Sequence, residues 1–420
     1  MEKTRLSPPR AATLLCFVVA CSGSAASAPA EDAGSADGAL SPTGDAAAAD
    51  ASADAASDAA AEAAVTSCTG VPAAGAWDTA SISPVTFTDT ANPGAFTGKS
   101  MAIAVDPFDS ATVWLGTGNS GLFRSTDCGG TWTHVNTGAN GTALDQSSLW
   151  SMAIDPVHRG TIYVTADYGS GYLWKSVNGG VDWTDVVASS AWYPYLYGSD
   201  ADHNNSFVNN VSMDPNNPLH LVAMSHGNCN PMYPNGCIAE TTDGGATWSN
   251  IVSMPQPWSE KGGVQIIDAT TWIWGGGDQQ LGLYVTKDNG QTWTQAVPGG
   301  SGDGVGELST QSLARAVDGA YYIPSLEGVL RSTDGLAWTR AWQPLNAGNA
   351  VVMAVAVTAT TIYASDGEFY SAPLGDYATW APMTSPATQD DPAEFLALDE
   401  AHHVLYASCW AGGVFRFGVP

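Results

Sequence analysis

The chain has 420 residues, of which 44% are apolar and only 13% charged, with 46 glycines and 16 tryptophans. That balance suits many short strands joined by tight turns. Its 41 acids outnumber the 13 Lys and Arg to give a net charge of −28, which excludes a phosphate-binding basic patch and so excludes nucleic acid as a partner.

In chain order, residues 1–21 read as an export signal. Lys3, Arg5 and Arg10 supply a positive region and residues 11–20 a short apolar run, too short to span a bilayer. Val18-Val19-Ala20-Cys21 resembles a bacterial lipobox, which implies lipidation of Cys21 as the new N-terminus. An ordinary signal peptide cut nearby would leave Cys21 incidental. A lipidated cysteine carries several acyl chains, enough for stable anchoring where one chain is marginal. The expected location is therefore the outer membrane or surface of a bacterial cell, with the lipid as the only membrane contact. Residues 22–66 are almost all Ala, Ser, Gly and Asp, with eight acids, no Lys or Arg and no aromatic residue. Such a segment cannot offset its ordering entropy by burial, so a disordered, self-repelling linker is expected.

Residues 67–420 are the expected folded domain. Its five cysteines are Cys68, Cys128, Cys229, Cys237 and Cys409. Cys229 and Cys237 flank the turn-rich Asn-Pro-Met-Tyr-Pro-Asn-Gly and make a natural local disulfide in an oxidising compartment. The pairing of the other three is open, and one must be left over.

One motif recurs through this domain, of the form Ser/Thr-x-Asp-x-Gly-x-Thr-Trp. It runs Ser125 to Trp132 around Asp127, Ser176 to Trp183 around Asn178, Thr241 to Trp248 around Asp243, and Thr286 to Trp293 around Asp288. A copy one residue short runs Ser332 to Trp338 around Asp334, and Thr379-Trp380 keeps only the end. The Asp and Ser/Thr side chains can satisfy backbone N–H groups in their own turn, while Gly supplies positive φ and Trp packs beneath. These residues are therefore assigned to folding. Around each copy the frame repeats: an apolar strand ending in Asp-Pro (Asp106-Pro107, Asp155-Pro156, Asp214-Pro215), a second strand, then a third leading into the motif. Four short strands per unit describe a propeller blade. Units begin near Met101, Leu149, Asn210, Gly263, Ser312, Val351 and Glu394. The seventh stops after its third strand, and Trp77 in Ala-Gly-Ala-Trp77-Asp looks like a further motif tryptophan. An all-β propeller of seven four-stranded blades is expected, with six or eight as alternatives, its last blade closed by an N-terminal strand.

The motif matches the Asp-box, or BNR repeat, and the frame over residues 67–420 resembles sortilin-type and xyloglucan-acting glycoside hydrolase propellers. It does not resemble sialidases, which need an arginine triad. The six arginines of the folded domain include Arg124, Arg331 and Arg416 in equivalent third-strand positions, which suggests structure. The resemblance implies a catalytic Asp in a segment of the form Tyr-x-x-x-Asp-x-Gly-Gly-x-Tyr. Blade one carries Gly118 where that Asp would stand; blade two fits better, as Tyr163-Val-Thr-Ala-Asp167-Tyr-Gly-Ser-Gly-Tyr172. Acid–base cleavage of a glycoside requires a second carboxylate, for which Asp278 and Asp366 are candidates.

In a propeller, ligands meet the mouth of the channel, where the second strands end. That slot holds Asp167, Tyr168, His226, Asp278, Glu327, Asp366, Glu368 and Trp410. Carboxylates and aromatic rings together suit sugars, whose hydroxyls and flat C–H faces they match. A turn-forming role for each Asp is the alternative. Two inserts add Trp192, Tyr195 and His203 after blade two, and the Cys229–Cys237 loop in blade three. No HExxH or paired CxxC occurs, so neither a metal nor a cofactor is expected. Three functions stay open for what is expected to be a monomer. The first is a surface module binding a glycan or an extracellular protein. The second is a glycoside hydrolase acting on a polysaccharide, and the third an assembly or scaffold factor.

Overall fold

A computed structural model describes residues 68–87, 96–169, 171–196, 207–229, 232–257, 262–276, 282–298, 313–325, 328–342, 352–386 and 393–420. Seven antiparallel sheets follow one another along the chain. The first contains β1 (Ser100–Asp106), β2 (Asp109–Thr117), β3 (Leu122–Ser125) and β4 (Thr133–His134). After a one-turn helix α1 (Gly141–Asp145), the second contains β5 (Met152–Ile154), β6 (Ile162–Thr165), β7 (Leu173–Ser176) and β8 (Thr184–Asp185). A second short helix, α2 (Tyr193–Leu196), precedes β9 (Phe207–Asp214), β10 (Asn217–His226), β11 (Cys237–Thr241) and β12 (Ser249–Ser253). Blade four is β13 (Gly263–Ile266), β14 (Trp272–Gly275), β15 (Leu283–Thr286) and β16 (Thr294–Val297). Blade five is β17 (Ala314–Arg315), β18 (Tyr321–Ser325), β19 (Gly328–Ser332) and β20 (Thr339–Trp342). Blade six is β21 (Ala354–Val357), β22 (Thr361–Ser365), β23 (Phe369–Pro373) and β24 (Ala381–Pro382); blade seven is β25 (Ala393–Asp399), β26 (Val404–Cys409) and β27 (Gly413–Gly418). The all-β, seven-bladed propeller expected from the repeat is the fold, with each blade starting within a few residues of its expected position.

The second strands β6, β14 and β26 are buried along their whole length, which explains why they read as continuous apolar runs rather than alternating ones. Neighbouring blades share their cores. Trp114 and Leu122 of blade one pack with Ile162, Trp174 and Trp183 of blade two. Gly180 sits at that seam with φ 82°, and a Cβ there would press within about 3.3 Å of Val135, Leu122 and Trp114, so the turn needs glycine for both its conformation and its space.

Each recurrent turn ties itself with side-chain oxygens. Ser125 Oγ accepts from the Gly129 amide at 2.8 Å and Asp127 Oδ1 from the Thr131 amide at 2.7 Å. The same pair recurs at Thr241/Asp243 and Thr286/Asp288. Burial alone would raise the Asp127 and Asp243 carboxyls, but these hydrogen bonds hold both below the ordinary carboxylate value. Trp183, Trp248 and Trp338 are buried, and Trp132 and Trp293 half-buried.

Blade seven has three strands of its own, and the chain before β1 supplies the fourth. The amides of Gly75, Asp78 and Ile82 donate to the carbonyls of Gly418, Arg416 and Val414 at 2.7, 2.9 and 2.8 Å. Trp77 packs on Phe369 and Phe417. Arg416 fastens this segment, donating to both carboxylate oxygens of Asp78 and to the carbonyls of Cys128 and Gly70. The Cys68–Cys128 disulfide joins the same segment to blade one, Cys229–Cys237 closes its loop, and Cys409 is buried outside both bridges.

In every sheet the first strand ends where the second begins. The ends of second strands and the starts of first strands therefore share one end of the channel, and the ends of first strands share the other.

Candidate functional site

At the first of these ends the chain leaves β6 through Ala166, Asp167 and Tyr168. Asp167 and Ser148 exchange main-chain hydrogen bonds of 2.9 and 2.8 Å. Asp167 is 3% exposed, and its Oδ1 and the Ser148 Oγ are both buried with no hydrogen-bond partner. Burial pushes the Asp167 carboxyl well above the ordinary carboxylate range, only partly opposed by the Thr165 hydroxyl. The carboxyl is thus held protonated well above the pH at which an exposed aspartate ionises.

Tyr168, next in the chain, takes the left-handed conformation with φ 54° and is 50% exposed. A bulky residue held there costs roughly 1–3 kcal/mol and persists only where its surroundings over-determine it. Those surroundings are aromatic. The Phe96 ring stacks on Tyr168 at 4.9 Å and 14°, and Phe207 lies at 4.7 Å on a tilt. Phe207 in turn stacks on His226 at 4.3 Å and 12°. On the other side Phe96 lies 6.2 Å from Trp410, whose edge meets Trp150 at 5.2 Å. Lys99 Nζ sits 3.9 Å over the Trp410 ring. The result is a belt of rings drawn from blades seven, one, two and three. Each such pair is worth about 0.5–1.5 kcal/mol beyond area burial, so the belt is fixed by its own stacking.

Gly118 explains why blade one lacks the Asp of the resembled motif. Its Cβ would lie 1.9 Å from the Phe96 carbonyl oxygen, so only glycine lets the Phe96 segment approach. The Gly98 amide donates to the Gly118 carbonyl at 2.9 Å, fixing that approach.

The other expected site residues are scattered. His226 and Trp410 belong to the belt with Tyr168. Asp366 is half-buried, and burial raises its carboxyl. Its Oδ1 accepts from the Glu368 amide at 3.2 Å, a turn-forming contact, and Glu368 is exposed and accepts from Ser385 Oγ at 2.6 Å. Trp192 is a correction: it is fully buried, its indole N–H donates to Cys237 Sγ at 2.9 Å, and it packs on Trp248 at 5.6 Å. The disulfide loop covers it, so no sugar can stack there. Tyr195 packs edge-on to Tyr233 of that loop at 5.5 Å. Asp278, Glu327, His203 and Cys21 lie outside the described residues. Phe96, Trp150, Phe207 and Ser148 were not expected from the second-strand slot, because they stand at or just before the starts of first strands. Those starts open onto the same mouth, so reading both slots would have found them.

Among the described residues, Cys68, Cys128, Asp399 and His402 are the group whose donor atoms come close enough to hold a metal ion. The two cysteines are bonded to each other, which removes their thiolates as ligands, and His402 Nδ1 lies 2.6 Å from Asp399 Oδ2. The set does not fit a structural metal in the oxidised protein.

No protein-family model matches the chain. Xyloglucanase Xgh74A of Acetivibrio thermocellus is 26% identical over 278 residues, covering 58% of this chain and 32% of the relative. A xyloglucanase of a Paenibacillus species is 26% identical over 319 residues, covering 66% and 30%. A probable oligoxyloglucan-reducing end-specific xyloglucanase of Neosartorya fischeri is 28% identical over 174 residues, covering 41% and 18%. Among solved structures, an ancestral GH74 enzyme superposes with TM-score 0.52 at 14% identity, covering 77% of this chain and 46% of that one. YCF48 bound to a D1 peptide gives 0.52 at 13%, covering 83% and 98%. These likenesses show the propeller fold. The chain spans about a third or less of the length of the curated relatives it matches, and its similarity to them is that of a single-propeller chain to longer xyloglucanases.

Proposed function

We propose that the protein is an exported, lipid-anchored propeller that engages a polysaccharide on the aromatic belt at the channel mouth. The belt carries this reading: rings from four blades, locked by stacking, present half-exposed Tyr168 beside the buried Asp167 carboxyl. Sugar rings offer flat C–H faces to such surfaces, and their hydroxyls suit the polar atoms beside them. The curated relatives are named for action on xyloglucan, which supports a polysaccharide of that class as ligand. The recurrent Ser/Thr-x-Asp-x-Gly-x-Thr-Trp turns are assigned to the Asp-box repeat on their hydrogen-bonding pattern.

Glycosidic cleavage is the second reading, favoured by Asp167. A carboxyl kept protonated by burial is the form a general acid needs, and it would give its proton to the glycosidic oxygen. A second carboxylate must act as nucleophile or base, with separations of about 5–5.5 Å for retention or 6.5–9.5 Å for inversion. Asp366 on blade six is the candidate among the described residues. Because Asp167 is 3% exposed, cleavage requires an opening movement at Tyr168 before a glycosidic oxygen can reach it.

Incubating the purified protein with a panel of soluble and insoluble polysaccharides that includes xyloglucan tests both readings. Retention with no rise in reducing ends supports binding alone. Retention with a rise supports hydrolysis. Neither retention nor release would overturn the proposal and favour a protein partner.

A further inference from the structure

We propose that the opposite end of the channel is a second, independent binding site, for a small amphipathic carboxylate. A cavity of about 270 Å³ opens there. It is roughly twice the size of a dry engineered cavity of about 150 Å³ that takes up benzene. Its space therefore suits two fused rings or a medium alkyl chain.

The walls come from the first strands of blades two to five and the residues beside them. Ile154, Met213, Ile266 and Leu313 supply apolar surface. Within the wall the Gln265 side-chain carbonyl is already engaged, accepting from Ser212 Oγ at 3.2 Å, so the apolar part presents little polar demand of its own. Arg315 lines the cavity and is exposed. Its guanidinium lies over the Tyr321 ring at 5.5 Å, and among the described residues no carboxylate comes within ion-pair distance of it. Two arginines of third strands are spent on structure: Arg331 on Asp318 and the Tyr322 hydroxyl, Arg416 on Asp78.

A pocket of largely apolar lining beside a guanidinium that no described carboxylate pairs selects a ligand with an apolar body and one planar anion. The fork of Arg315 can meet a carboxylate through two parallel hydrogen bonds while Tyr321 holds it flat. A neutral ligand of the same shape would forgo that contact, and a cation would be repelled. Pro215, Ile266, Arg315 and Tyr321 place the site toward the ends of first strands, whereas Asp167, Tyr168 and Trp410 stand at the ends of second strands. It therefore does not depend on the polysaccharide reading.

Titration calorimetry with 2-naphthoate and its neutral counterpart 2-naphthalenemethanol tests the site on the full exported chain. One naphthoate should bind per chain, at least tenfold more tightly than the alcohol. Arg315→Gln should bring naphthoate down to the level of the alcohol while leaving the alcohol and any polysaccharide binding unchanged. Leu313→Trp, which fills the pocket from its rim, should abolish uptake of both. Absence of saturable naphthoate binding overturns the assignment, and so does binding that Arg315→Gln leaves untouched. Loss of polysaccharide binding with naphthoate binding intact would count against the other face alone.

Discussion

Asp167 and Ser148 face each other across a closed pair of main-chain hydrogen bonds, and each leaves a side-chain oxygen buried and unmatched. Each such atom costs stability, since an unsatisfied buried polar group is worth about 1–3 kcal/mol. Functional sites are where a fold tolerates that cost.

The cost has a pH signature. The folded state holds the Asp167 proton to a higher pH than the unfolded chain does, so stability falls as pH rises from the ordinary aspartate value through the folded one. Asp167→Asn keeps the shape and removes the ionisation. The variant should melt higher than wild type at pH 8, with the gap closing toward pH 4. If it hydrolyses a glycan, turnover should drop by about 10²–10⁴-fold with binding retained. A variant that melts lower at every pH would make Asp167 a turn former.

His220 gives a slope of the same sign, but from about pH 6.5 upward. It lies 3.0 Å from Asp214 and 2.9 Å from Glu240, and Glu240 also accepts from Asn250 and Asn289. Burial alone would lower the imidazole, but hydrogen bonds and charge from Glu240 and Asp214 raise it above the ordinary histidine value. Burial would raise Glu240, and its three donors hold it low. The histidine's contribution is therefore complete below about pH 6.5 and lost as pH rises through its folded value. His220→Gln should flatten that alkaline slope in urea melts and cost about 3–5 kcal/mol at pH 6, as breaking a buried pair does. An unchanged slope would mean that the network is neutral.

The two disulfides should differ in weight. Cys68 and Cys128 are 60 residues apart and Cys229 and Cys237 only 8. In the chain-entropy model the first closes a loop worth about 4 kcal/mol and the second about 2.5 kcal/mol. Urea melts of Cys68→Ser and Cys229→Ser should rank in that order. The first should also speed amide exchange along β27, since the bridge holds the segment that covers its edge. Equal losses would mean that the Arg416 contacts alone fasten the ring.

The lipid anchor is tested by Cys21→Ser. The variant should leave the membrane fraction for the soluble one, and unchanged partitioning would mean that Cys21 is incidental.

Much of the fold was legible because its information is local. The turn oxygens of Ser125 and Asp127 act within five residues, and Trp77 could be matched to other motif tryptophans by its neighbours alone. Trp192 shows what was not legible. An aromatic-rich insert reads like a binding surface, but the Cys229–Cys237 loop, far along the chain, closes over it. The belt was half seen for the same reason: Tyr168, His226 and Trp410 share one slot of the repeat. Phe96, Trp150 and Phe207 reach the mouth from another, and stacking between slots is a tertiary fact.

Affinity electrophoresis in gels containing xyloglucan tests the central claim most directly. Wild type should be retarded, and Tyr168→Ala should migrate as in a plain gel while keeping its melting temperature within a few degrees. Wild type running freely in xyloglucan and in the other polysaccharides of the panel, or retardation that Tyr168→Ala leaves unchanged, would contradict polysaccharide recognition on the belt.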